Sequence, residues 1–205
     1  MKVSKFSQLL LPFFAFTSSF SATHAAQNDW YIGAGYGSSS VDTGITAVTA
    51  SLDEEDTGFR LFAGLKLNKN ISIEGFYADL GESSLTGNTG DTFIIDGVLY
   101  GFLVDNAAIT AKAKVFGFNG LFALPLNDRF SLFGKLGLAN WQYDATVSGS
   151  GIASGSFSDD GTDFFYGAGA SYAINNDWSV RGEYNLYDFD GDDVDMLSIN
   201  ILRSF

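Results

Sequence analysis

Leu67-Asn68-Lys69-Asn70-Ile71-Ser72-Ile73, Leu126-Asn127-Asp128-Arg129-Phe130-Ser131-Leu132 and Ile174-Asn175-Asn176-Asp177-Trp178-Ser179-Val180 are three copies of one pattern: aliphatic, Asn, two polar residues, large apolar, Ser, aliphatic. Each is a tight polar reversal between two apolar runs. Asn and Asp tolerate the positive backbone angles of short hairpins, so each copy predicts a strand, a turn and an antiparallel strand. Three hairpins give six strands, and the runs Trp30 to Gly37 and Leu197 to Phe205 bring the count to eight. Between the hairpins lie long stretches rich in Gly, Ser, Thr and Asp. Short turns at one end, long loops at the other and an even strand count predict an all-β chain: a transmembrane, eight-stranded, antiparallel up-and-down β-barrel with short periplasmic turns and long extracellular loops.

Residues 1–25 carry Lys2 and Lys5, then the apolar run Leu9 to Phe16, then small residues ending Thr23-His24-Ala25. This reads as a secretory signal peptide cleaved after Ala25, too short to span a bilayer. Residues 26–205 suit one domain, and with no apolar run of roughly 20 residues any insertion must be by strands. No Cys is present, which excludes a disulfide framework and thiol chemistry. The formal charge is −13, and removal of Lys2 and Lys5 makes it −15. So acidic a chain is not expected to bind nucleic acid. Most of the acid falls in expected loops: Asp53 to Asp56, Asp159, Asp160 and Asp163, and Asp188 to Asp195.

Charge decides which face is wet. One face of the strands reads Trp30, Ile32, Ala34, Tyr36; Phe59, Leu61, Ala63, Leu65; Phe116, Phe118, Phe122, Leu124; and Leu197, Ile199, Ile201, Phe205, interrupted by a single charge, Arg203, near the end. The opposite face carries Arg60, Lys66, Glu74, Lys135, Arg181 and Glu183 among Asn, Ser and many Gly, and reads as polar and small. Arg or Lys facing lipid at mid-bilayer would cost about 2–4 kcal/mol, so these six residues are assigned to an interior charge network. Trp30, Phe130, Tyr172, Trp178 and Phe205 form an aromatic girdle near the short turns, with Tyr36, Phe59, Tyr77, Phe116 and Phe164 as its counterpart near the loops.

Asp29-Trp30-Tyr31-Ile32-Gly33-Ala34, the stretch around Glu74, Lys135-Leu136-Gly137, Gly167-Ala168-Gly169, Arg181-Gly182-Glu183-Tyr184 and Asp193 to Phe205 together resemble the transmembrane domain of OmpA-like outer-membrane proteins, related to opacity-type surface antigens. The resemblance runs through nearly all of residues 26–205. It implies insertion into a Gram-negative outer membrane, with the last strand serving as the signal for the barrel assembly machinery; Arg203 stands where an aromatic is usual. Many relatives add a periplasmic peptidoglycan-binding domain, and since the chain stops at Phe205 that tether is expected to be absent. By resemblance Glu74 and Arg181 match an interior acid and an interior Arg. The family's partners of opposite sign fall on uncharged Leu121 and Ser171, so half of that network is expected to be missing.

The interior charges either line a water path or satisfy one another; an eight-stranded interior is just wide enough for side chains to fill, which favours a plug, with Glu74 paired to Arg181. Asp188-Phe189-Asp190-Gly191-Asp192-Asp193-Val194-Asp195 fails as a calcium-binding EF-hand loop, because counting from Asp188 puts Gly191 fourth and Ile199 twelfth. Gly33, Gly35 and Gly37 have the wrong spacing for a nucleotide site and read as small inward residues. Thr92 to Val104 predicts two further short strands joined near Asp96-Gly97, either a contact surface or an extension packed on its neighbours. The single His, His24, lies in the signal, so an enzyme is not expected. No cofactor or metal is expected. The leading expectation is a monomeric structural and surface-interaction barrel partnered by outer-membrane lipid and lipopolysaccharide. The alternatives are a small ion or solute pore and an adhesin acting through Thr92 to Val104.

Overall fold

The computed structural model describes residues 29–189 and 192–205. In chain order the strands are β1 (Trp30–Val41), β2 (Ile45–Ala47), β3 (Ser51–Asp53), β4 (Glu55–Lys66), β5 (Ile71–Gly87), β6 (Thr92–Ile95), β7 (Val98–Gly101), β8 (Ala107–Pro125), β9 (Phe130–Ser148), β10 (Gly155–Ala173), β11 (Trp178–Phe189) and β12 (Asp192–Ser204). Eight of them close a barrel by antiparallel pairing in the order β1, β4, β5, β8, β9, β10, β11, β12 and back to β1. β3 continues the β4 stave along β5. Closure leaves the barrel no open edge, which a lipid environment requires.

The register fixes the tilt. Partners followed around the wall from Tyr31 run through Gly64, Glu74, Asn119, Gly137, Phe165, Tyr187 and Val194 and return to Val41, ten residues above the start. With about 3.3 Å per residue and about 4.8 Å between strands, that stagger tilts the strands by about 40° and gives a backbone radius of about 8 Å.

The three repeated turns have one geometry. In each, the Asn Oδ1 accepts two backbone N–H groups: Asn68 from Asn70 and Ile71, Asn127 from Arg129 and Phe130, Asn175 from Asp177 and Trp178, all at 2.8–2.9 Å. None uses a positive φ; among the described residues the non-glycine residues that do are Asp96 and Asn106. The sequence expectation was right about the turn and wrong about its cause, since Asn works here as a side-chain acceptor. Each turn also clasps the next strand, with Ala123, Ala173 and Ser204 donating to the Asn70, Arg129 and Asp177 carbonyls at 2.7 Å.

The apolar rows face outward. Phe118 is 76% exposed, Ile199 71% and Phe164 68%, whereas Arg60, Glu74 and Glu183 are at most 2% exposed. Between Phe116 and Leu124 the band spans about 20 Å at this tilt, near the height of an outer-membrane apolar belt. The interior departs from the polar, small lining expected of it. It also holds Tyr31, Phe62, Phe76, Phe133, Trp141, Phe165 and Tyr187, all buried. The glycines explain how they fit, because rings lie over bare backbone: a Cβ at Gly33 or Gly64 would overlap the Phe62 or Tyr31 ring, and one at Gly137 would stand 2.7 Å from Phe165.

Beyond the band, stretches expected as loops are largely strand. β5, β8, β9 and β10 run 17–19 residues, so Asp159, Asp160 and Asp163 sit on β10 and Glu55 and Asp56 on β4. Alternating polar residues suit a wall wetted on both sides as well as they suit a loop. Where this wall leaves the membrane β5 slips by one residue against β8, between Asp79 and Glu82. Gly81 takes φ +79° there, and its N–H and that of Glu82 are held by the carboxylates of Asp79 and Asp56 at 3.1 and 2.9 Å. This bulge exchanges the faces of β5: Phe76, Ala78 and Leu80 are buried below it, Ser83 and Leu85 above it. The expected pair at Thr92 to Val104 is present as β6 and β7, turning at Asp96 (φ 51°) and Gly97 (φ 76°), and β6 also pairs with β2.

Candidate functional site

Midway through the barrel, five buried ionisable groups from four strands meet. The Glu74 carboxylate accepts from Arg181 Nη1 at 2.5 Å, the Tyr31 hydroxyl at 2.8 Å and Asn119 Nδ2 at 3.2 Å, with Arg60 Nη2 at 4.0 Å. Glu183 accepts from Lys135 Nζ at 2.7 Å, and Arg60 Nη1 stands 3.4 Å away. Arg60 Nη1 also donates to the Tyr187 hydroxyl at 3.3 Å. Three cations thus share two carboxylates. Alternation places Arg181 and Glu183 on one face of β11, and antiparallel pairing brings Lys135 and Gly167 opposite each other so that the ammonium can cross the missing side chain. Aromatic faces complete the cage: Arg60 lies 4.3 Å from the Phe76 centroid and Arg181 4.9 Å from that of Phe133.

Above the charges an aromatic stack fills the bore. Phe76 and Phe165 meet at 4.8 Å between centroids, Phe165 and Tyr187 at 5.2 Å, and Trp141 stacks on Phe189 at 5.1 Å farther out. Among the described residues, one cavity opens at each end of the bore. The one at the short turns, of about 360 Å³, has Arg181 and Tyr31 among its walls; the outer one, of about 320 Å³, reaches Trp141 and Phe189. No residue lines both.

Of the six residues assigned to the interior network, Arg60, Glu74, Lys135, Arg181 and Glu183 are brought together. Lys66 is corrected: its inward parity carries it to the exposed rim of the short-turn cavity, where its ammonium donates to Ser204 Oγ at 3.2 Å. The expectation of a half-missing network also changes, because Arg60 and Lys135 supply from other strands the charge that Leu121 and Ser171 lack. Tyr31, Asn119 and Tyr187, which the sequence reading did not single out, join the acids and the guanidinium directly. A polar-tipped residue on the charged face was the only signal. Of the girdle, Trp30, Tyr172, Trp178 and Phe205 are exposed beside the short turns, while Phe130 is half-buried and also lines the cavity there. Arg203 lies over the rings of Phe205 and Trp178, at 4.9 and 5.6 Å. Among the described residues no group of three or more His, Asp or Glu is placed to hold a metal ion. The signal peptide and Asp190-Gly191 of the acidic run lie outside the described residues.

Residues 13–205 match the outer membrane protein beta-barrel domain family. Among curated proteins the chain is similar to outer membrane protein A of Shigella flexneri, 26% identical over 166 residues, and of Salmonella typhi, 28% identical over 167; each match covers 80% of this chain and 43% of the relative. The chain therefore spans less than half the length of the curated relatives it matches. Among solved structures it resembles Ail of Yersinia pestis, crystallised with the heparin analogue sucrose octasulfate (TM-score 0.56, 19% identity, 88% of this chain and 100% of that one). It also resembles the N-terminal β-barrel domain of Pseudomonas aeruginosa OprF (TM-score 0.52, 10% identity, 87% and 98%). At these identities the structures speak for the fold alone.

Proposed function

The chain belongs to the outer membrane protein beta-barrel domain family and is an OmpA-like barrel of the outer membrane; we propose that its role there is structural and surface-directed rather than conductive or enzymatic. The filled bore supports this reading above all. Five buried charges pair with one another at one level, Phe76, Phe165 and Tyr187 pack across the next, and the two end cavities share no wall. A solute would have to displace both layers. The barrel then contributes a rigid stave to the envelope, its outer wall displayed above lipopolysaccharide and its last strand, β12, offered to the assembly machinery. It needs no partner chain to close, and it works as a monomer. Purified protein in planar bilayers is expected to stay silent; steady openings reproduced across preparations would replace this reading with a small pore.

A second reading has its own support. The β2–β6–β7 sheet exposes Val98, Leu99 and Tyr100 on its β7 edge, and Leu103, just past β7, is 89% exposed. Such a patch suits adhesion to a partner surface. Deleting residues 92–104 should then abolish binding of cells to that surface while the heat-dependent gel shift of the folded barrel persists; retained binding would end this reading. The outer wall presents Glu55, Asp56, Asp159 and Asp160 against Lys112 and Lys114, so a polysulfated ligand like the one in the Ail crystal is not carried over to this chain.

A further inference from the structure

We propose that the cavity at the short-turn end is a binding site for a small oxyanion, a phosphate or carboxylate group, entering from the periplasmic side. Its walls carry Lys66, Lys69, Arg129 and Arg181, and Asp128 is the only carboxylate among its lining residues. That balance runs against the chain, whose formal charge is −13. At about 360 Å³ the space admits an oxyanion with part of its hydration shell.

The interior supplies the second reason. Arg60, Lys135 and Arg181 face only Glu74 and Glu183, which leaves one positive charge over at the centre of the barrel. Arg60 Nε, Arg60 Nη2 and Arg181 Nε are buried donors without a hydrogen-bond partner, as are the acceptor oxygens of Asn119, Asn185 and Asn200, so the excess lies in charge and not in the count of donors. Of the five charged groups Arg181 alone lines the cavity, with 7% of its side chain accessible. The unbalanced charge is thus presented to one compartment through one guanidinium, the geometry that favours charge-assisted bonds to an oxyanion. Lys66, at the rim, and the Ser204 hydroxyl it bonds at 3.2 Å stand where an incoming anion would replace their mutual contact.

The test is isothermal titration calorimetry on the full folded chain in zwitterionic micelles at constant ionic strength, with inorganic phosphate in one arm and acetate in the other. Saturable one-site binding of either anion is expected, and the arm that binds identifies the group. Lys66→Gln should weaken it about tenfold, the loss of one charge-assisted bond. Arg129→Gln, on an exposed turn, should weaken it too and serves if Lys66→Gln fails to fold. Lys112→Gln, on the outer wall, should leave the affinity unchanged. Absence of saturable heat with both anions, or an equal loss in Lys112→Gln, would overturn the proposal.

Discussion

Removing Glu74 should cost more than removing its partner Arg181, and the charge count says why. The native layer holds three cations and two carboxylates. Arg181→Ala leaves two of each, so the loss is the 2.5 Å charge-assisted bond, set against relief of the excess positive charge. Glu74→Ala leaves three cations around Glu183, and Tyr31, Asn119 and Arg181 lose their common acceptor at once. Breaking a buried pair costs about 3–5 kcal/mol; Arg181→Ala is expected near the lower limit, about 3 kcal/mol, and Glu74→Ala at or above the upper. The double variant Glu74→Ala/Arg181→Ala restores the native excess of one positive charge and should be more stable than the sum of its single costs implies, by at least about 1 kcal/mol. Equilibrium urea unfolding of the barrel in lipid vesicles, followed by tryptophan fluorescence and the heat-dependent gel shift, measures all four proteins. Equal costs for Glu74→Ala and Arg181→Ala, or additive single costs in the double variant, would refute the reasoning that the layer is governed by its charge balance.

Gly33→Ala should destabilise the barrel by about 1–3 kcal/mol, because the new methyl overlaps the Phe62 ring, and Phe62→Leu in the same chain should recover part of the loss in the same unfolding assay. Deleting Gly81 removes the extra residue of β5 and carries Leu85 to the outer face, so proteolysis within residues 83–112 should rise while the membrane-embedded fragment survives; an unchanged digest would show that the bulge does not set the face. Asp105 accepts the Thr89 N–H at 3.1 Å, and hydrogen bonds from Thr89 hold its carboxyl below the usual Asp value. A depressed value means the tie is in place above the ordinary Asp range and lost as pH falls through the lowered one; exchange broadening of the Thr89 amide should therefore set in only below the ordinary Asp range, and Asp105→Asn should remove that dependence.

The sequence by itself determined the barrel. Three Asn-headed turns, alternation along each strand and the confinement of charge to one face fixed the strand count, the pairing of neighbours and the side that meets lipid, because each of these is a local or period-two property. It also put Arg60, Glu74, Lys135, Arg181 and Glu183 on the interior face. It could not say which would touch, since that follows from a ten-residue stagger around the wall, a quantity summed over eight pairings, and the same stagger carries Lys66 clear of the layer. The aromatic fill of the bore was hidden for a related reason: Phe62, Phe76 and Phe165 share a face with the charges, and only cross-strand glycines such as Gly33 and Gly137 reveal where a ring can lie. The bulge at Gly81 belongs with these, since one surplus residue reverses which face of β5 is buried, and alternation read along a single strand assumes that none exists.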